Sequence, residues 1–241
     1  MDQGYFITGT DTNAGKTWAT IALMHYFKQQ GKSVIGMKPV ASGCYTQDGH
    51  LRNEDALLIQ ENASIKIDYD LINPYAYALP VSPHIAGINN PVKLAIVVER
   101  FNTLKELAEV VLVEGAGGWY APLNDSEDIS DLAKALALPV ILVVAIRLGC
   151  INHAKLTWQA IQQSGLPCAG WIAMCLDPDM PKTDENINTI KTALNIPLLG
   201  IFPYMGSADF DLLAANLAGV TSGVNKVLSN DRLWQDPIIT T

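Results

Sequence analysis

Cysteine is scarce in this chain, with 4 among 241 residues, at positions 44, 150, 168 and 175, and no two of them form a CxxC pair. That spacing excludes a disulfide framework and a cysteine-rich zinc site. Cys150, Cys168 and Cys175 fall in apolar stretches that read as buried elements, so reduced core thiols in a cytoplasmic protein are expected. Basic residues are also few, 16 Lys and Arg against 24 Asp and Glu for a net charge of -8, and they are scattered. A phosphate backbone is bound by clustered cations, so no nucleic-acid partner is expected. Long apolar runs are missing as well. The longest, 135–146, is interrupted by Pro139 and falls short of the ~20 residues of a membrane span, and the first residues lack the basic-then-apolar pattern of a secretory signal. Cytoplasmic localisation without membrane contact follows as the expectation.

No internal repeat, low-complexity tract or Pro/Ser-rich linker divides the sequence, and 49% of it is hydrophobic. One domain over 1–241 is expected, with no readable pattern after 220. Short runs rich in β-branched residues alternate with helical periods: "YFIT", "SVIGM", "EVVLVE", "PVILVVAI", "CAGWIAM" and "PLLGIF". They are continuously apolar rather than alternating, as suits strands buried on both faces. Ala19, Ala22, Leu23, Tyr26 and Phe27 form one stripe of a helix ending at Gly31. Further helices are predicted over 53–61, 92–107, 128–136, 152–164 and 184–194. The alternation predicts an α/β fold of the P-loop NTPase type, a mostly parallel sheet with helices on both faces.

The stretch "TGTDTNAGKT" joins the first strand to the first helix. It ends as a phosphate-binding loop does, but one residue more than the common pattern separates Gly9 from Gly15. Backbone N–H groups and the helix N-terminus converge there, Lys16 is placed to reach the β- and γ-phosphates, and the Thr17 hydroxyl suits Mg²⁺. The longer loop carries Asp11, Thr12 and Asn13, polar groups able to touch a second substrate beside the γ-phosphate. In "GMKPVASG", Lys38 lies at the carboxyl end of the second strand, either a solvated cation or a second ammonium for phosphoryl transfer. Ser42 offers a hydroxyl. Glu114 ends "VVLVE" before a glycine-rich turn containing Gly117, as a metal carboxylate or as a turn residue. Asp55 follows Asn53 in "LRNEDA", either completing an oxygen set for Mg²⁺ with Thr17 and Glu114 or favouring the first helical turn. The four histidines share no metal-ligand spacing and read as satisfied or solvated, and no Ser/His/Asp set is present.

These pieces, together with "NPY", "PVSPH", "VLVEGAGGWYAPL", "PVILVVAIRLGCINHAKLT" and "GWIA", resemble the dethiobiotin synthetase family over nearly the whole chain. The lengthened loop is itself that family's form. The resemblance implies a ligase of biotin biosynthesis that uses ATP and Mg²⁺ to join 7,8-diaminopelargonate and CO₂ through a carbamate and a carbamic-phosphoric anhydride. It implies that Lys16, Lys38 and Thr12 serve catalysis, and that Thr12 and Ser42 position the diamine. Thr17, Asp55 and Glu114 would hold Mg²⁺. Asp11, Thr12, Asn13, Ala14, Gly15, Lys16, Thr17, Asp55, Glu114, Gly117, Met174, Pro203 and Tyr204 would surround the nucleotide. A homodimer is also implied, with the substrate carboxylate bound by the neighbouring subunit at Gly149, Cys150, Ile151 and Asn152; a plain helix cap at Asn152 is the alternative. Arg147 stands where the family has Lys. Met174 stands where it has an Asn that reads adenine, which makes looser base selectivity the expectation.

Cobyrinic-acid-type amide synthetases share the lengthened loop, but the glutaminase domain they carry has no room here. Chromosome-partition ATPases would show a basic patch or an amphipathic end, and the sequence shows neither.

Overall fold

The structure, a computed structural model, describes residues 3–217; the stretch after 220 lies outside the described residues. In chain order the elements are β1 (Gln3–Gly9), α1 (Lys16–Gln29), β2 (Val34–Met37), β3 (Val40–Ser42), β4 (Tyr45–Gln47), β5 (His50–Arg52), α2 (Glu54–Glu61), α3 (Tyr69–Ile72) and β6 (Tyr75–Tyr77). There follow α4 (Pro83–Ala86), α5 (Leu94–Lys105), β7 (Val110–Glu114), α6 (Ile129–Leu136), β8 (Val140–Ile146), α7 (Cys150–Gln163), β9 (Cys168–Cys175), α8 (Thr183–Leu194), β10 (Leu198–Phe202) and α9 (Phe210–Ala215).

Six strands form one parallel sheet in the order β10-β9-β8-β1-β7-β2. β2, β7 and β8 are buried along their whole length, as continuous apolar runs require when helices cover both faces. The chain fills one side of β1 first, with β2 and then β7, and then crosses to β8, β9 and β10. The crevice where the direction reverses opens at the carboxyl ends of the strands, where open α/β sheets bind ligands.

Local chemistry explains the helix starts. Asn53 caps α2 by accepting from Ala56 N at 3.2 Å. Asp128 opens α6 through a capping box, accepting from Ser130 N at 2.7 Å while Asp131 accepts from Asp128 N at 3.1 Å.

Three expectations are corrected. α1 buries far more than one stripe: Thr20, Ile21 and Met24 join Ala19, Ala22, Leu23 and Phe27 inside, with Met24 set against Gly36 of β2 while α9 packs along another side of the helix. The helix predicted from 152 begins at Cys150, since Gly149 at φ 92° is the cap, so Asn152 is not one. Of the three cysteines read as buried, only Cys150 is; Cys168 and Cys175 are half-buried, and Cys44 is buried instead. All four are free thiols. The segment 45–51, which shows no strand pattern, is most of a β4–β5 hairpin turning on Asp48 and Gly49, both at positive φ, the Asp-Gly signature of a tight hairpin turn.

Gly36 lets α1 and α2 approach β2 together. A methyl group there would clash with Ile59 and lie 3.0 Å from Met24 Sδ. Gly36→Ala should therefore lower stability by about 1–3 kcal/mol, read as a lower urea midpoint; an unchanged midpoint would show that Ile59 and Met24 yield without cost.

Candidate active site

The phosphate loop leaves β1 at Gly9 and enters α1 through Gly15, whose φ of 86° is left-handed. Asn13 is also left-handed, at φ 58°. Asp11 has a structural task. Its carboxylate accepts from Thr12 N at 2.7 Å and from the Arg147 guanidinium at 2.6 Å, tying the loop to the end of β8. Lys16 Nζ donates to the Asp11 carbonyl at 2.9 Å. Burial, and after it the Lys38 ammonium, bring the Lys16 pKa down to about 8. The unfolded chain therefore binds the extra proton between about pH 8 and the ordinary 10.5. Lys16 thus costs stability below that window, and the cost eases as pH rises through it; an anion in the loop would offset the cost.

Lys38 follows β2 directly and is buried, not the solvated cation that position would ordinarily hold. Its ammonium donates to Glu114 Oε1 in a very short contact and to Asp55 Oδ2 at 3.2 Å. Burial alone would pull the Lys38 pKa down, but the Glu114 and Asp55 carboxylates outweigh it and hold the pKa above the ordinary lysine value. Asp55 sits in the first turn of α2 beside its Asn53 cap, as one of its two readings has it, and it also pairs with Lys38, which neither reading anticipates. Burial pushes the Asp55 carboxyl up, but Lys38 dominates with help from Thr17 and Lys16, so its pKa lies below the usual range. Thr17 Oγ1 donates to Glu114 Oε1 at 3.0 Å. Glu114 Oε2 is buried without a hydrogen-bond partner among the described residues.

An orphaned carboxylate oxygen beside a hydroxyl and a second carboxylate is a hard-oxygen donor set, which fits Mg²⁺. Among the described residues no group of three or more His, Cys, Asp or Glu is placed to hold a metal ion, so any metal here depends on Thr17 and phosphate oxygens besides Asp55 and Glu114.

These groups open into a cleft of about 770 Å³. Thr12, Asn13, Gly15, Lys16, Thr17, Lys38, Ser42, Asp55, Glu114, Gly117, Met174, Pro203 and Tyr204 all line it. The Ser42 hydroxyl is buried there without a hydrogen-bond partner among the described residues. Asp11 and Ala14 are not on the lining: Asp11 faces Arg147, and Ala14 is buried beneath the loop. Met174 lies under the phosphate loop, its Cε so close that a side chain on Gly15 would meet it at 2.9 Å. Trp18, Pro80, Pro83, Cys175, Leu176 and Met205 also line the cleft and were not singled out from the sequence. Trp18 sits beside the phosphate loop, Pro80 and Pro83 lie in the quoted "PVSPH" and Cys175 ends β9, whereas Leu176 and Met205 follow strand ends with no chemical pattern of their own.

Gly149, Ile151 and Asn152 face a different, shallower cleft with Leu148 and Leu156, and Cys150 is buried beside it. The structure does not bring that group to the phosphate loop within one chain.

A β-strand, phosphate loop and helix at the reversal point of a parallel sheet, with two lysines and two carboxylates at its mouth, define a P-loop nucleotide-dependent enzyme. The comparisons agree. A family model described as an AAA domain matches residues 3–210. ATP-dependent dethiobiotin synthetase BioD of Xanthomonas axonopodis pv. citri is 47% identical over 207 residues, 85% of this chain and 92% of the relative. The protein of the same description from Cellvibrio japonicus is 44% identical over 220 residues, 89% of this chain and 95% of the relative. The chain belongs to the family of ATP-dependent dethiobiotin synthetases, which are ligases. In fold it resembles the septum site-determining protein MinD of Pyrococcus horikoshii, solved with Mg-ADP, at TM-score 0.56, 15% identity and 97% coverage of both chains. It also resembles chloroplast FtsY of Physcomitrella patens, at TM-score 0.54, 19% identity and coverage of 94% of this chain and 65% of that one. Among the described residues no helix is long and apolar enough to cross a membrane.

Removing one member of the buried pair should be costly. Glu114→Ala leaves the buried Lys38 with only the half-exposed Asp55 carboxylate as a partner, and should lose about 3–5 kcal/mol of stability, measured by urea unfolding. The pair Lys38→Met with Glu114→Leu should recover most of that loss. A Glu114→Ala midpoint equal to that of the parent would mean the pair does not hold this edge of the sheet.

Proposed function

We propose that this chain converts 7,8-diaminopelargonate, CO₂ and ATP to dethiobiotin, ADP and phosphate, acting in the cytoplasm as a homodimer. The observation that carries the reading is the pair of ammonium groups, Lys16 and Lys38, converging on one cleft with an unpartnered Ser42 hydroxyl. A nucleotide switch needs one lysine for its phosphates. A second, held charged by the buried Glu114 and half-buried Asp55 carboxylates, suits a reaction in which an anionic carbamate meets an anionic γ-phosphate.

The chemistry asks little covalent work of the protein. One amine adds to CO₂ and sheds a proton; the carbamate oxygen takes the γ-phosphoryl group and releases ADP; the second amine attacks the carbonyl carbon and phosphate leaves as the ring closes. Lys16 faces the β- and γ-phosphate oxygens, and Lys38 the carbamate. Thr12 and Ser42 orient the diamine, so that catalysis rests on positioning and charge stabilisation. Bound Mg²⁺, held by Thr17, Asp55 and Glu114 together with phosphate oxygens, would neutralise charge on the phosphates.

The second cleft supports the dimer. Leu148 is 93% exposed and Leu156 58%, an apolar surface next to the N-terminus of α7, where backbone N–H groups of Ile151 and Asn152 suit a carboxylate, while the Cys150 N–H donates to Arg147 O at 2.9 Å. A partner subunit would bring this end of α7 to the tail of the diamine.

On the base side Met174, Pro203 and Tyr204 are joined by Leu176 and Met205, none of which offers a side-chain amide. With MgATP and bicarbonate, purified protein should release phosphate only when the diamine is added, one ureido product per phosphate; hydrolysis indifferent to the diamine would overturn the substrate assignment. In the same assay Lys38→Ala should lower kcat by roughly 10²- to 10³-fold, and near-normal turnover would remove Lys38 from the chemistry. GTP and CTP should compete with ATP at limiting concentrations, and strict ATP preference would count against the apolar base site.

A further inference from the structure

We propose that His25 and Asp211 form a latch that holds one wall of the nucleotide cleft, which makes them positioning residues for nucleotide binding. The inference rests on reading the main cleft as the nucleotide site.

Pro203, Tyr204 and Met205 line that cleft at the start of an irregular loop running from the end of β10 to the start of α9. The wall is therefore only as well placed as α9. That helix spans 6 residues, too short to persist by itself, so its contacts with α1 fix it. Phe210 packs edge-on against Trp18 at 6.3 Å, and Trp18 is itself a cleft residue next to Thr17. Further along α1, the His25 ring lies 5.8 Å from Phe210. Its Nδ1 is 2.8 Å from Asp211 Oδ1, and its Nε2 is 2.7 Å from Asn62 Oδ1.

Both ring nitrogens thus face oxygens. The Asn62 amide is oriented by its own donation to Leu58 O at 2.9 Å, so Oδ1 points at the ring. Only imidazolium carries two N–H donors, so the protonated ring completes the latch and the neutral ring leaves one contact oxygen to lone pair. The other groups here are Gln29, which donates to Asp211 at 3.3 Å, and Lys28, which donates to Asn62 O at 3.0 Å. The hydrogen bond and charge of His25 hold the Asp211 carboxyl below the usual range.

The test is calorimetric titration of MgATP, without diamine, into the parent, Asp211→Ala, His25→Ala and the double variant. Each single change should raise Kd roughly tenfold, and the double variant should lose no more than either single one, as members of one contact do. At saturating nucleotide kcat should stay within about twofold of the parent. Asp211 is largely exposed, so Asp211→Ala reports even if His25→Ala folds poorly. Equal Kd in parent and Asp211→Ala would overturn the latch. A parent that binds no MgATP would instead overturn the nucleotide reading of the cleft.

Discussion

The buried ion pair between Lys38 and Glu114 is the contact on which the cleft depends. Taking two charges out of water costs several kcal/mol per ion unless each is met by its opposite at close range. The sheet supplies that proximity: β2 and β7 are adjacent parallel strands, with Met37 opposite Val113, so the next residue of each lies at the same edge. Asp55 from α2 and Thr17 from α1 close on the same point. Two strands and two helices are therefore pinned together by one charged cluster, and the phosphate loop sits directly above it.

That cluster also sets the electrostatics of the loop. Lys38 is held as a cation, and with burial it weakens the hold of Lys16 on its proton. The loop is in this sense poised for an anion. The additional residue between Gly9 and Gly15 lets Asp11 turn outward to Arg147 while Lys16 still reaches the loop's inner face. Its carboxylate braces the loop from behind, and Thr12 and Asn13 keep the cleft side.

The frame was legible in the sequence because its parts are local. Strands buried on both faces need unbroken apolar runs, and each of the six expected runs is a strand of the main sheet. The helices over 53–61 and 128–136 begin where Asn53 and Asp128 cap them. What escaped was decided by packing at a distance or by short turn chemistry. β3 pairs with β6 across an intervening hairpin and two helices, a contact no local period records. α1 looked like a surface helix with one apolar stripe because nothing in its own sequence announces α9. The hairpin at Asp48–Gly49 did carry a turn signature, but its strands are too short and polar to read as strands.

By itself the sequence determined the order of strands and helices, the phosphate loop and the set of polar residues delivered to the carboxyl edge of the sheet, since backbone direction and side-chain period follow from neighbouring residues. Tertiary structure alone decided which of those residues meet. It buried Lys38 between Glu114 and Asp55, turned Asp11 away from the cleft toward Arg147, placed Met174 beneath Gly15, and set the α7 terminus on a separate surface. The physical reason is register: a partner across the sheet is chosen by the alignment of strands far apart in the chain, and burial then fixes the charge that each side chain can carry.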